Sequence, residues 1–261
     1  MTLHLIHLPI DLRALHTWGE ARGVGKGIFD EGLALHHLLG ETFGAAVLQP
    51  FRLMVAPRAR SGALYAYAAQ SAEDLVTTAQ TIIDPAASAA IALEQMRSHP
   101  RPEASWTRGQ RLGFDVRLRP TVRLASPLTV GRETFRKGAE VDAYLAHVAR
   151  SDDTTERAAV YFDWLAARFA GVAELEADLT RLARYERRRI VRNGRVAEGP
   201  GATFHGTLTI DNPAAFARLL AQGVGRHTTY GYGMLMLRPP GKPGQAKTDT
   251  AARHAERSAG S

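Results

Sequence analysis

The 261-residue chain contains no cysteine, so it can hold no disulfide framework, no thiolate-bound zinc, no iron–sulfur cluster and no Cys nucleophile. It also lacks any apolar run approaching the roughly 20 residues that a membrane span requires. Its first residues, MTLHLIHLPIDLRAL, show neither a basic leader nor a small-residue cleavage site. A soluble cytosolic protein is the expectation. Acidic residues are the minority charge, 26 Asp and Glu against 33 Lys and Arg, a formal +7. The cations are mostly arginine, whose fork matches phosphate oxygens bidentately where an ammonium offers a point charge.

What is present suits a globular fold, since 45% of the residues are apolar and a chain of this length can bury a sizeable core. Leu3 to Leu8 reads as a first strand and is followed by a glycine-rich basic loop at 21–27, ARGVGKG. From Phe29 to Phe43 the spacing turns helical, with Asp30 as N-cap and Leu35, Leu38, Leu39, Thr42 and Phe43 on one face. FRLMVAP (51–57) and ALYAYAA (63–69) form a predicted hairpin. A helix over 71–83, capped by Ser71, is expected to end at Asp84-Pro85. The polar stretch 98–106 reads as a junction.

The second part repeats the plan. GFDVRLRPTVRL (113–124) is a predicted strand, apolar on one face and carrying Arg117 and Arg119 on the other; helices follow at 139–150 and 156–170. Residues 175–182 fit a helix and a strand equally. After the charge run RYERRRIVRNGR (184–195) come a strand at 202–210, a helix at 212–223 with Pro213 in its first turn, and a last strand from Met234 to Arg238.

Three features carry chemistry. The loop GVGRHTTYGYG (223–233) precedes a strand and has no following Lys-Ser or Lys-Thr, so it is neither a mononucleotide nor a dinucleotide fingerprint. One reading is a tight structural turn; the other is a backbone cradle for a polyanion, with Arg226 and His227 for charge and Tyr230 or Tyr232 for base stacking. Arg117 and Arg119 share one face of a strand whose other face is apolar, and the arginines of 187–195 have only Glu186 nearby to neutralise them; such a face or groove would track an RNA backbone. His36 lies at the margin of the apolar helix face while His37 points away, so only His36 is held in place. Adjacent histidines do not share a helix face, which argues against a metal pair. His205-Gly-Thr and His227-Thr-Thr both fit an HxT pattern, 22 residues apart.

Three blocks in chain order resemble the CasE branch of the CRISPR repeat-RNA endoribonucleases of the RAMP superfamily, as a type I-E or type IV relative: DEGLALHHLLGETF (30–43), GQRLGFDVRLRPTVRL (109–124) and FHGTLTIDNPAAFARLLAQGVGRHTTYGYGMLMLRP (204–239). The resemblance implies an α+β fold of two tandem ferredoxin-like (RRM-like) βαββαβ domains. One spans 1–97 with the candidate catalytic helix and the other 106–240 with the glycine-rich loop; a disordered tail is expected over 241–261. It further implies cleavage of precursor CRISPR RNA at the repeat hairpin by 2′-hydroxyl attack, without metal or cofactor, to 2′,3′-cyclic phosphate and 5′-hydroxyl ends. The mature crRNA would stay bound among other subunits of an effector complex, with no membrane partner.

In this resemblance His36 matches the family's general acid or base. Some relatives carry a Tyr three residues earlier, where this chain has Leu33, so the partner is expected from Lys26 or Arg22. The expected RNA contacts are Arg117, Arg119, Arg123, Arg187, Arg188, Arg189, Arg192, Gly225, Arg226, His227, Tyr230 and Arg238. Two alternatives stand beside this reading: a non-catalytic crRNA-binding subunit of the same complex, and an unrelated HxT phosphodiesterase using His205 and His227.

Overall fold

The computed structural model describes residues 2–24, 28–151, 154–192 and 195–242. The first half consists of β1 (Thr2–Asp11), α1 (Leu12–Ala21), α2 (Glu31–Phe43), β2 (Phe51–Met54), β3 (Ser61–Ala68), α3 (Ala72–Gln80), α4 (Pro85–Ala90) and β4 (Arg97–Pro102). Its antiparallel sheet runs β2-β3-β1-β4, with the first strand between the third and the fourth, as in a split βαβ unit.

The second half consists of β5 (Arg111–Leu118), β6 (Thr121–Arg123), β7 (Leu128–Val130), β8 (Glu133–Phe135), β9 (Glu140–Asp142), α5 (Ala143–Val148), α6 (Arg157–Phe169), β10 (Ala173–Leu175), β11 (Arg181–Arg192), β12 (Arg195–Ile210), α7 (Pro213–Gln222) and β13 (Leu235–Arg238). Its sheet runs β10-β12-β5-β13, with β11 also pairing β12. Taking β10 as second strand and β12 as third, the order repeats that of the first half, so the fold is α+β with two tandem ferredoxin-like units. The pairs β6 with β9 and β7 with β8 are inserted between β5 and α6.

Alternation along β1 sends Ile6, Leu8 and Ile10 into one core with Trp18, Leu35, Leu38 and Phe51. Phe114 and Val116 of β5 pack with Tyr161, Leu165 and Phe169 of α6 and with Phe204, Phe216 and Met234 in the other. Tyr67, in the first half, belongs to the second core, and its hydroxyl donates to the Leu235 carbonyl at 3.0 Å. Burial pushes the Tyr67 phenol well above its ordinary range, so this donor stays protonated.

Several elements differ from the expectations. Helix α1 has no counterpart among them; Asp11 caps it by accepting from the Ala14 amide, and Leu15 and Trp18 bury its inner face. The stretch 98–106, expected as a junction, begins with the edge strand β4, where Pro100 and Pro102 are tolerated because an edge strand leaves one side unpaired. Asp84-Pro85 does not merely end α3: Asp84 caps α4, with Pro85 in its first turn. The ambiguous stretch 175–182 divides between β10, a 3₁₀ turn over Ala177–Leu179 and the start of β11. The expected tail lies, from 243 onward, outside the described residues.

The halves are joined by charge as well as by apolar packing. The guanidinium of Arg52, on β2 and only 8% exposed, pairs with Asp115 on β5, whose other oxygen faces His205 Nε2 at 3.1 Å. Removing one partner of a buried pair leaves the other charge uncompensated. Arg52→Leu is therefore expected to lower stability in urea unfolding by about 3 kcal/mol, at the low end because Asp115 keeps His205. An unchanged unfolding midpoint would show that the pair does not join the halves.

Candidate functional site

Helix α2 is built as its sequence predicts. Asp30 Oδ1 accepts from the Leu33 amide at 3.1 Å, and Leu35, Leu38, Leu39, Thr42 and Phe43 are buried. This anchors the helix and leaves His36 half-buried at its margin, with His37 exposed. The imidazole of His36 meets the ring of Tyr230 from the second half, centroids 5.0 Å apart and planes at 61°. One turn earlier on α2, a Cβ on Gly32 would come within 2.5 Å of the Tyr230 carbonyl oxygen. The helix and the glycine-rich loop thus touch backbone to backbone.

Beside this contact opens a cleft of about 570 Å³. Its walls are Asp30, Glu31 and Gly32 at the start of α2, Phe51 and Leu53 of β2, Arg187, Arg188, Arg189 and Glu198 of the β11–β12 ribbon, and Arg117, Tyr230, Gly231 and Tyr232. Arg117 is mostly buried, stacked 4.9 Å from the centroid of Tyr232 and 3.4 Å from Glu186 Oε1. Burial holds its pKa below the ordinary arginine value, although a guanidinium remains a cation at any ordinary pH.

The charge run over 184–192 is the tip half of a long ribbon. β5 pairs with β12 only from Ala202 onward, whereas β11 and β12 continue to pair outward to Arg192 and Arg195, so the ribbon overhangs its sheet. Glu186 serves Arg184 at 3.0 Å and Arg188 at 2.9 Å as well as Arg117, and Glu198 pairs with Arg187 at 2.9 Å across the ribbon. On this side of the cleft Glu186 and Glu198 are set against Arg117, Arg184, Arg187, Arg188 and Arg189, a local cationic excess, while Asp30 and Glu31 bring negative charge to the wall formed by α2. Glu198 is a neutralising residue that chain order does not reveal, because only the hairpin register brings it opposite Arg189.

The glycines of the loop are explained by the protein itself. Gly223, Gly225, Gly231 and Gly233 all have φ between 77° and 81°, and each Cα faces a neighbour that leaves no room for a side chain. A Cβ would lie 2.8 Å from the Trp164 ring at Gly225, 3.3 Å from the Phe51 ring at Gly231 and 2.5 Å from the Val224 carbonyl at Gly233. The Gly233 amide donates to the Arg117 carbonyl at 2.7 Å and the Val224 amide to the Gly233 carbonyl at 2.8 Å. Close approach to glycine, expected of a phosphate, is made here by an indole, a phenyl ring and backbone. The tight-turn reading accounts for these positions, and Gly225 contributes by seating the loop on Trp164.

His227 enters the 3₁₀ turn Thr228–Tyr230 with φ 65°, an uncommon left-handed conformation for a residue with a side chain. Glu140 fixes it there, with Oε2 2.8 Å from His227 Nε2 and Oε1 paired with Arg226 Nε. The His227 hydrogen bond, aided by the charges of Arg226 and Arg119, holds the Glu140 carboxyl below its ordinary value of 4.5. A depressed folded-state pKa stabilises above the unfolded value and loses that contribution as pH falls through the folded one. Glu140→Gln is accordingly expected to lower Tm at neutral pH, with the gap to wild type closing under acid conditions. A gap that persists unchanged in acid would contradict this.

The other expected residues are dispersed. Arg22 is engaged by Glu41 at 3.2 Å and Asp84 at 2.6 Å and lies over Trp18, which makes it a tie between helices and not the partner of His36 that the sequence suggests. Lys26 lies outside the described residues, as does the side chain of Arg192. Arg119 is only 5% exposed, its guanidinium lying where Gly199 lacks a Cβ. Arg123 donates to the carbonyl of Gly138, in the turn between β8 and β9, and Arg238 sits at the end of β13 opposite Gly113; neither lines the cleft. His205 and His227 are bound to different carboxylates, Asp115 and Glu140, so the two HxT stretches do not converge. Among the described residues no cluster of three or more His, Asp or Glu suits a metal ion, and no helix is long and apolar enough to cross a membrane.

Comparison with known proteins gives a consistent picture. Residues 3–239 match the family model described as CRISPR associated protein. Among solved structures the chain is similar to a CRISPR endoribonuclease Cse3 bound to a 19-nucleotide RNA and to Thermus thermophilus Cse3 bound to an RNA representing a pre-cleavage complex. Each is 18% identical with a TM-score of 0.61, covering 92% of this chain and 100% of the other. It is also similar to a chain of a CRISPR RNA-guided surveillance complex, at 20% identity and TM-score 0.54 over 90% of this chain and 99% of that one. Among curated proteins, none matches the chain.

Proposed function

The chain belongs to the CRISPR-associated protein family, and from that premise we propose that it is the endoribonuclease that cuts the repeat of a precursor CRISPR RNA and keeps the product bound within an effector complex. The observation that carries this reading is the placement of His36. It is held at the seam between the two halves against Tyr230, beside a cleft walled by Arg117, Arg187, Arg188 and Arg189. The similar Cse3 structures that hold RNA support the substrate class, and the surveillance complex supports retention among other subunits.

The chemistry follows from the groups at the seam. Cutting RNA without an external nucleophile needs three things: a base to take the 2′-hydroxyl proton, an acid for the departing 5′-oxygen, and positive charge beside the pentacoordinate phosphorus. His36 is a titratable group able to move a proton near neutral pH. The arginine wall draws in the phosphodiester backbone. Tyr232 is buried beneath Arg117 and holds that guanidinium at the cleft wall.

Incubation with EDTA of the purified chain and an RNA carrying the repeat of the same genome tests the reading. Cleavage leaving 2′,3′-cyclic phosphate and 5′-hydroxyl ends is expected; complete dependence on a divalent ion, or ends of the opposite kind, would contradict it. Tight binding with no cleavage would favour the non-catalytic subunit, a reading that the engagement of Arg22 by Glu41 and Asp84 favours.

A further inference from the structure

We propose that Tyr230 is the positioning residue for His36, and that Gly32 exists to admit it. This rests on the reading that His36 moves a proton in the cleavage reaction. Leu33, one turn before His36 on the same helix, has no group that could orient an imidazole, and Arg22 is committed elsewhere. The ring in contact with His36 comes instead from the other half of the chain, at the end of the 3₁₀ turn Thr228–Tyr230.

Three contacts fix where that ring stands. Upstream, His227 is held in its left-handed conformation by Glu140 at 2.8 Å. Downstream, Gly231, with φ 81°, lies against the Phe51 ring, which a Cβ would meet at 3.3 Å. From the side, the Tyr230 carbonyl oxygen occupies the space that a Cβ on Gly32 would need, at 2.5 Å. Gly40 of the same helix has nothing within 4 Å of a Cβ position, so the crowding at Gly32 is specific to the approach of Tyr230. The edge-to-face packing of the two rings is an arrangement that aromatic pairs favour. Proton transfer needs the imidazole nitrogen within hydrogen-bond reach of the reacting oxygen. A ring that limits the imidazole to one rotamer therefore acts on the rate at saturating RNA more than on affinity.

The test is single-turnover cleavage of the repeat RNA at saturating protein, with gel-shift affinities and thermal melts measured in parallel, for wild type, His36→Ala, Tyr230→Leu, Tyr230→Phe and Gly32→Ala. Tyr230→Leu is expected to slow cleavage by about 10- to 100-fold, the range for a misplaced catalytic group, with affinity changed far less. Tyr230→Phe should restore most of the rate. Gly32→Ala, which changes no side chain at the reacting groups, should reproduce the Tyr230→Leu defect, and combining the two should add little, because both disrupt the same packing of Tyr230 on α2. If His36→Ala is inactive while Tyr230→Leu and Gly32→Ala cleave at the wild-type rate, the positioning role is wrong and the His36 reading stands. If His36→Ala cleaves normally, the His36 reading itself fails. A Tyr230→Leu defect expressed wholly as weaker affinity would also overturn the proposal, since it would make Tyr230 an RNA-binding residue only.

Discussion

His36→Ala is expected to reduce repeat-RNA cleavage by about 10²- to 10⁴-fold, the usual contribution of a positioned general acid or base, while gel-shift affinity stays within a few-fold of wild type. The separation follows from geometry. His36 is a half-buried side chain at the margin of an anchored helix, packed on Tyr230, and is not among the residues that wall the arginine-lined cleft. Truncating it removes a proton carrier and leaves the cationic surface untouched. Equal reductions of rate and affinity would mean that His36 binds RNA without moving a proton. The exposed neighbour serves as control, and His37→Ala should cleave as wild type does.

Replacing Arg187, Arg188 and Arg189 together by alanine should have the largest effect on binding. These side chains stand on a ribbon that overhangs its sheet and wall the cleft; Glu198 pairs with Arg187 and Glu186 with Arg188, and Asp30 and Glu31 face them from α2. For every phosphate deprived of its arginine, the slope of log K against log salt should fall by roughly 0.7 on single-stranded and 0.9 on duplex nucleic acid. The triple variant is therefore expected to bind far more weakly at low salt, with a slope shallower by about two to three units. A weaker complex with an unchanged slope would show that the arginines support the ribbon and do not face phosphate. Because Arg187 and Arg188 each release a carboxylate when removed, Glu198→Gln should strengthen binding slightly, opposite in sign.

The parts of the fold legible in the sequence are those whose burial leaves a period. Helix α2 shows its cap at Asp30 and its buried face at Leu35, Leu38 and Leu39, and β5 shows alternation through Phe114, Val116 and Leu118. The outer ribbon reads only as charge because the residues on its inner face include Glu186 and Arg188 ahead of the buried Ile190, so its alternation is not an alternation of apolar and polar residues. β4 is hidden by Pro100 and Pro102, which an edge strand accepts. Helix α1 does carry a signal, Asp11 followed by Leu12, Leu15 and Trp18, a capped segment with helical spacing.

The site is legible in kind but not in its partners. The sequence points to His36 and to a loop whose glycines must be closely approached, yet the approaching groups, Trp164 and Phe51, lie far away along the chain. For the same reason Arg22, near His36 in sequence, suggests itself as a partner, whereas Tyr230, which packs on the His36 ring, comes from the other half of the chain. Chain proximity stands in for spatial proximity when only the sequence is read, and the docking of the two halves separates them.

The most direct test of the central claim is to map the cut in the repeat and then replace the single nucleotide 5′ to it by its 2′-deoxy form, with EDTA present. If the chain cuts by internal 2′-hydroxyl attack, the substituted RNA binds as tightly as the parent and is not cleaved, and the parent alone yields a 2′,3′-cyclic phosphate. Cleavage of the 2′-deoxy RNA at the same position would contradict the account, because the attacking group would then have to come from elsewhere.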